Sequence, residues 1–369
     1  YYALLLGVYF FSLDVLAGRL FNLKSGSTGR LLWRTLLILV HSAGWRFMLA
    51  RILGIEWTYV LEDGFAGQRM LGPVFQPSSF GVFLAFSVAV FTLRQPLLAI
   101  LGLVLAATFH PTYLLPAGML TAAYLWVWAI NERRWKTALG YGGLALVLVL
   151  PSVIGVYQVF SGADPEMTEV ARRILVTYRI PHHAIVDELF NLPSIFKLLI
   201  IGASLYCLRN SRLFAVLLIP TLAAGFLSIL QVLSGDLALA LLFPWRVSTL
   251  ILPLSTAVLS GWLVNWVLAR PGFIRPRIER WLRLGAYSVM LLAVGVGVIR
   301  FGLDLRRSDQ AAERALQRYI ASNFYSGEIY LTPIKMQDFR LVSGAPVVVD
   351  FKSIPYQPGD VLELSLIHI

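Results

Sequence analysis

The run LFAVLLIPTLAAGFLSILQVL at residues 213–233 decides the fold, because it contains no charged side chain and is long enough to cross a bilayer as one helix. A membrane-spanning helix needs about 20 predominantly apolar residues, whereas a helix at the surface of a soluble protein has one polar face. Similar runs precede and follow this segment along the chain. The sequence therefore predicts an all-α polytopic membrane bundle.

Apolar segments recur over the first 303 residues, and about ten of them have the composition of transmembrane helices. They lie at 1–18, 31–50, 78–93, 97–109, 112–130, 137–160, 193–208, 213–233, 244–269 and 282–303, of which 97–109 and 193–208 are short. The chain is 58% hydrophobic and 14% charged, and its mean hydropathy is +0.73. Soluble domains have about a quarter charged residues, so this composition excludes a water-soluble protein.

The net charge of +11 lies largely in short loops between the apolar segments, which indicates membrane orientation and no nucleic-acid partner. The loops at 19–34, 94, 133–136, 209–212 and 270–283 are basic, whereas the loops between them hold most of the acidic residues. Since basic loops stay on the cytoplasmic side, the sequence predicts that residue 1 and the tail after 303 are extracytoplasmic. The expected location is a bacterial inner membrane.

The tail is more polar than the preceding 303 residues, and we expect a small, truncated α/β domain at 304–363. Strands are predicted at 328–332 and 346–350, with a short helix near 337–342 between them. Residues 364–369 resemble a translated transposon end of the kind used in sequencing libraries. We expect them to be non-native, in a fragment that lacks an odd number of upstream helices.

The first candidate site lies where the helix of 97–109 must stop. Pro111 disfavours helical backbone at His110, and Thr112 is a candidate N-cap for the next helix. A broken helix at membrane depth is tolerated where it is buried in protein or lines a wet cavity, and its new N-terminus favours an anion. The alternative is a tight turn in which His110 bonds a neighbouring carbonyl.

Two further candidates lie in loops that the charge pattern places outside. Acidic side chains in the loop 62–69 suit a base or a metal ligand, and the loop 161–192 gathers cationic and titratable side chains suited to phosphate. A solvated loop and an interfacial amphipathic helix are the respective alternatives. The polar residues in question are Glu62, Asp63, Gln68 and Arg69 in the first loop and Arg179, His182 and His183 in the second.

The last candidates are two pairs of residues. Trp245 and Arg246 lie at the outer start of a predicted helix. Asp350 ends the last predicted strand of the tail, and Lys352 follows it. A charge in a membrane segment is costly and marks a functional position, although Trp245 also fits an aromatic belt at the interface. Residues that follow strands commonly bind ligands in α/β units, whereas a salt-bridged edge is the structural alternative for the tail pair.

The runs 109–116, 179–183 and 350–355 resemble an uncharacterised bacterial family of multi-spanning membrane proteins, which is itself similar to the GT-C superfamily of polyprenyl-phosphate-sugar glycosyltransferases. The resemblance implies sugar transfer from a lipid-phosphate donor at the extracytoplasmic face. It implies catalysis by Asp63, Glu62 or His110. Substrate contacts would come from Gln68, Arg69, Thr112, Arg179, His182, His183, Trp245, Arg246, Asp350 and Lys352.

Enzymes of this superfamily carry an acid in the first outer loop, whereas Glu62 and Asp63 lie in a later loop of this chain. The cofactor is open, and a divalent metal could use Asp187 or Glu188. Two other functions fit the same sequence. A transporter would use the break at His110 as a substrate site, and a non-catalytic assembly protein would use its tail domain.

Overall fold

The apolar segments fold as helices in a computed structural model that describes residues 1–42, 51–52, 60–72, 75–270, 275–309, 311–333, 336, 338–348 and 357–368. Two compact units are present. The first comprises Tyr1–Gln158 and Ile180–Ala293, and the second comprises Val159–Arg179 and Val294–Ile369. Most of the candidate site residues belong to the first unit.

Thirteen helices of ten or more residues are present in the described part of the chain. They are α1 (Tyr2–Leu20), α2 (Thr28–His41), α3 (Val82–Thr92), α4 (Pro96–Phe109), α5 (Leu114–Trp126), α6 (Trp135–Phe160), α7 (Pro165–Ile174), α8 (Leu192–Leu208), α9 (Leu213–Ser234), α10 (Ser248–Leu268), α11 (Pro276–Asp309), α12 (Glu313–Asn323) and α13 (Pro358–His368).

Six helical segments in the described residues are long and apolar enough to cross a membrane, as expected of a multi-pass membrane protein. They are Tyr2–Leu20, Pro111–Asn131, Trp135–Val159, Leu213–Ser234, Leu237–Leu268 and Pro276–Arg307. The expected count of ten is not supported, because Pro77–Thr92, Pro96–Phe109 and Leu192–Leu208 form shorter apolar helices. The 14 residues of α4 extend over only about 21 Å. The predicted segment 31–50 lies partly outside the described residues.

The predicted break at His110 is present. Helix α4 ends at Phe109, His110 has extended backbone angles (φ −149°, ψ 106°), and a 3₁₀ turn at Pro111–Tyr113 leads into α5. The prediction that Thr112 caps the new helix is wrong. Thr112 lies inside the 3₁₀ turn, Tyr113 occupies the N-cap position of α5, and no side chain caps it. The reason is that Pro111 starts a turn before α5 begins.

Small side chains let helices of the first unit approach closely. A Cβ at Gly102 of α4 would lie 3.0 Å from the carbonyl oxygen of Phe83 on α3. The buried Ser87 hydroxyl donates to the carbonyl of Ala99 at 2.6 Å and lies 2.9 Å from the Tyr124 hydroxyl. Helices α1, α3, α4, α5 and α10 supply much of the apolar core around these contacts.

Within the first unit, the basic loops are held by contacts to α1 and to one another. Asp14 accepts from Arg30 and from Arg34, with closest distances of 2.6 and 2.7 Å. Arg212 forms an ion pair with Glu132, with a nitrogen–oxygen distance of 2.8 Å. Thr28 forms a short hydrogen bond to Glu279, which links the two basic loops that flank α2 and α11.

The second unit contains α7, α12, α13 and a short helix at Phe339–Ser343. The prediction of two strands is not supported. The described residues hold no strand there, only an isolated parallel bridge between Tyr330 and Val347. The bridge forms because the two extended segments pack on a small core that contains Ile320, Phe339 and Ala345. A single bridge is too little pairing to make a sheet.

Candidate functional site

The loop 62–69 is held by a buried ion pair. Arg69 donates through Nε to the Asp63 carboxylate at 2.7 Å, and the Asp63 side chain is only 2% exposed. The loop closes through the Gly64 N–H, which donates to the Gln68 carbonyl at 2.8 Å. Gly67 adopts the left-handed region (φ +64°) that the turn requires. Asp63 is therefore a fixed carboxylate, with Arg69 as one of its partners.

Lys197 on α8 adds a cation to this loop that the sequence analysis missed. Its Nζ donates to the Gly64 carbonyl at 2.7 Å, and the residue is 5% exposed. Asp63 and Arg69 are both within electrostatic reach of the ammonium group. Lys197 lies in the apolar segment 193–208, and a lysine within a membrane segment indicates a functional position.

Aromatic packing joins the loop to the start of α10. The Phe65 ring lies 4.3 Å from the Trp245 ring, and Phe190 contacts both rings at 5.6 Å. The Trp245 indole N–H donates to the Ser228 hydroxyl at 2.8 Å, and Trp245 is 4% exposed. Trp245 thus lies in the protein interior and anchors the start of α10, next to Arg246, against the loop.

A close backbone approach completes this junction. The Phe65 N–H donates to the Ser248 hydroxyl at 2.9 Å. A Cβ at Gly64 would lie 2.5 Å from that hydroxyl oxygen and 2.8 Å from the backbone nitrogen of Thr249. Only glycine fits at position 64 without displacing α10.

His183 lies in the segment that precedes α8 and contacts the loop 62–69 through Gln68. The Gln68 Nε2 lies 3.4 Å from Nδ1 of His183, which indicates a hydrogen bond from the amide to the imidazole. Burial lowers the pKa of His183 to about 4, with smaller contributions from His182 and Arg246. His183 is therefore neutral at pH 7 and accepts a hydrogen bond there, so it adds no positive charge to the site. His182 is exposed and lies beside it, with ring centroids 4.1 Å apart.

Arg246 lies beside the helix break. Its guanidinium carbon lies 5.3 Å from the ring centroid of Tyr113, and His110 packs edge-on against the same ring at 5.5 Å. Both His110 and His183 lie within electrostatic reach of Arg246. The structure thus brings the helix break, His183 and Arg246 into one group.

Within the part of the chain that the structure describes, three buried polar atoms of this group have no hydrogen-bond partner: Gln68 Oε1, Thr112 Oγ1 and Arg246 Nε. Buried polar atoms are normally satisfied, and an unsatisfied one costs about 1–3 kcal/mol. The set offers two donors and an acceptor, which matches an anion that also carries a hydroxyl group. We call Asp63, Gln68, Arg69, His183, Lys197 and Arg246 the ionic site.

A small cavity of about 10 Å³ adjoins the ionic site. Glu62, Asp63, Arg69, Tyr9 and Thr249 contribute to its walls. A much larger groove of about 870 Å³ lies elsewhere, between α4, α5 and α6, and its lining is almost wholly apolar. None of the candidate site residues lines that groove, so its volume says nothing about the chemistry of the ionic site.

The remaining candidates are not brought to the ionic site by any contact within the first unit. Arg179 ends a π-helical turn at Leu175–Arg179 and belongs to the second unit. Asp350 and Lys352 lie outside the described residues. Among the residues that the structure describes, no group of three or more His, Cys, Asp or Glu side chains is arranged to hold a metal ion.

The fold and the ionic site together define a multi-pass membrane protein with a buried cluster of charges where its helices meet their loops. Residues 311–364, in the second unit, match a family described as a domain of unknown function (DUF6798). No curated protein matches the chain. No solved structure matches it either.

Proposed function

We propose that this protein is a GT-C-like membrane glycosyltransferase that transfers a sugar from a lipid-phosphate donor at the extracytoplasmic face. The observation that carries the proposal is the grouping of Arg246, His110, His183 and Gln68 beside the Asp63–Arg69 pair. A site for this reaction needs a cationic donor for the leaving phosphate and a base for the acceptor hydroxyl.

Arg246 supplies the contact to phosphate. Its buried Nε has no acceptor among the described residues, and a phosphate oxygen would provide one through a charge-assisted hydrogen bond. Negative charge grows on the phosphate as its bond to the sugar breaks, so a contact that strengthens with that charge lowers the barrier. The Thr112 hydroxyl and Gln68 Oε1 would meet polar atoms of the same ligand.

Asp63 is the base in this proposal. The acceptor hydroxyl attacks the anomeric carbon, its proton passes to the Asp63 carboxylate, and the lipid phosphate departs with the electrons of the broken bond. The pair with Arg69 and the proximity of Lys197 hold the carboxylate in place. Glu62 lies at the same small cavity and is the neighbouring acid.

The finer topology also belongs to this proposal. We infer about ten transmembrane helices in a bacterial inner membrane, with the tail outside. The charge alternation of the loops supports this arrangement. So do three contacts in the first unit: Arg212 pairs with Glu132 and Thr28 bonds Glu279 between basic loops, and Gln68 lies beside His183 between acidic loops.

The test is transfer of a radiolabelled sugar from a polyprenyl-phosphate donor to extracted lipid and glycan acceptors by the purified full-length chain in nanodiscs. We expect turnover by the wild type and at least a hundredfold loss in Asp63→Asn. Asp236→Asn, which removes an exposed acid outside the ionic site, is the control and should retain turnover. Absence of turnover with donor binding intact would refute the enzyme and favour a transporter.

A further inference from the structure

Three buried polar side chains connect α1, α2 and α10 and have no part in the reaction described so far. Tyr9, His41 and Thr256 are between 3% and 6% exposed. The Tyr9 hydroxyl lies 2.9 Å from Nδ1 of His41, and Nε2 of His41 lies 2.8 Å from the Thr256 hydroxyl. Polar groups at such depth in a membrane bundle are costly and mark function.

The hydrogen bonds that link Tyr9, His41 and Thr256 have a defined direction. Thr256 has one hydroxyl hydrogen, and it donates to the Pro253 carbonyl at 3.0 Å. The Thr256 oxygen must therefore accept from His41, which places the imidazole hydrogen on Nε2. Nδ1 of His41 is then an acceptor, and the Tyr9 O–H donates to it.

The hydrogen-bonded series of Tyr9, His41 and Thr256 starts, at Tyr9, beside the ionic site. Tyr9 lines the same small cavity as Asp63, and the cavity volume of about 10 Å³ is close to the size that holds one water molecule. Cavities with several polar walls bind ordered water, which bridges groups too far apart for direct contact. One water molecule in that cavity would join Asp63, through the Tyr9 hydroxyl, to the basic nitrogen of His41.

We propose that Tyr9, His41 and Thr256 form a proton relay that accepts the proton taken up at Asp63. Asp63 passes its proton through the cavity to the Tyr9 oxygen while the original Tyr9 proton moves to Nδ1 of His41. The products are an Asp63 carboxylate, a neutral tyrosine and a His41 imidazolium whose Nε2–H still donates to Thr256. The net transfer is one proton from Asp63 to His41, and no electron is transferred. The reverse movement restores His41 and returns the proton to Asp63, which gives it to the lipid phosphate as that group leaves.

This inference rests on the proposed function only in taking Asp63 as the base. His41→Gln is the decisive variant, because glutamine offers a carbonyl acceptor and an N–H donor for the two neighbours and carries no proton at physiological pH. A relay predicts a sugar-transfer rate at least about tenfold lower in the full-length chain, with donor binding unchanged. An unchanged rate in His41→Gln would overturn the relay and leave a purely structural contact.

A second readout does not depend on turnover. The chain has five histidines, so ¹⁵N-histidine spectra of the full-length chain in nanodiscs can be assigned by single replacements. The relay predicts that His41 carries its hydrogen on Nε2 and that Asp63→Asn shifts the His41 signals, whereas Asp236→Asn does not. A hydrogen on Nδ1, or signals indifferent to Asp63→Asn, would overturn it. If the wild type transfers no sugar, the proposed function fails and these spectra alone decide the relay.

Discussion

Replacing Arg246 tests the phosphate contact most sharply. The Arg246 Nε is buried and no described residue accepts from it, and the guanidinium lies over the Tyr113 ring at 5.3 Å. A charge-assisted hydrogen bond to a bound phosphate contributes about 1.5–3 kcal/mol. Arg246→Gln should therefore weaken binding about 10- to 150-fold. Arg246→Lys keeps the charge but not the planar set of donors, so an intermediate loss is expected.

The assay is titration of a short-chain polyprenyl phosphate into the full-length chain in nanodiscs, followed by calorimetry. Arg209→Gln is the matched control, because it removes the same charge from a guanidinium that packs over Tyr206 at 4.3 Å, beyond the far end of α8. Wild-type affinity in Arg246→Gln would refute the assignment. An equal loss in both variants would show that net charge, and not this contact, governs binding.

Three further predictions concern stability. Gly64→Ala should destabilise the first unit by at least about 1 kcal/mol in thermal unfolding, because its Cβ would lie 2.8 Å from the backbone nitrogen of Thr249, whereas Gly118→Ala, with nothing within 4 Å, should not. The free energy of unfolding of the wild type should fall by about 1 kcal/mol, after allowance for solvent screening, between about pH 6.5 and pH 4, because the pKa of folded His183 is about 4 and the unfolded chain takes up the proton first. His183→Gln should lose less stability over the same range. A pH profile of stability in His183→Gln identical to that of the wild type would contradict this. Asp63→Asn should lower the free energy of unfolding by about 2 kcal/mol, since it leaves the partly exposed Arg69 without its carboxylate partner. A melting temperature equal to that of the wild type would contradict this.

The helix break and much of the ionic site could be predicted from local sequence. Pro111 restricts the backbone of the residue before it, so the end of α4 at Phe109 followed from covalent geometry. The loop acids and Arg246 were identifiable because charges near apolar runs are costly. Their grouping could not be predicted, because residues 63, 183 and 246 are distant in the chain and meet only through packing around Phe65 and Trp245.

Other features depended on contacts that local patterns do not encode. Lys197 and His41 were missed because each is a single polar residue in an apolar run, and only its partner distinguishes a functional position from a tolerated one. The strand pattern at 346–350 was apparent in sequence, yet pairing needs a second strand with enough length, and the described residues form only one bridge.

The central claim is that residues of separate loops form one site, and proximity of Gln68 and His183 tests it most directly. Cys207 is the only cysteine, so Gln68→Cys and His183→Cys can be paired in a Cys207→Ser background. The side chains meet at 3.4 Å, so a short bifunctional thiol reagent should join them in native membranes. Gln68→Cys with Arg209→Cys is the control, because the 17 residues of α8 separate position 209 from the site by about 25 Å. Cross-linking of the first pair and not of the second is the expected result. Failure of the first pair, or equal yields in both, would contradict the account.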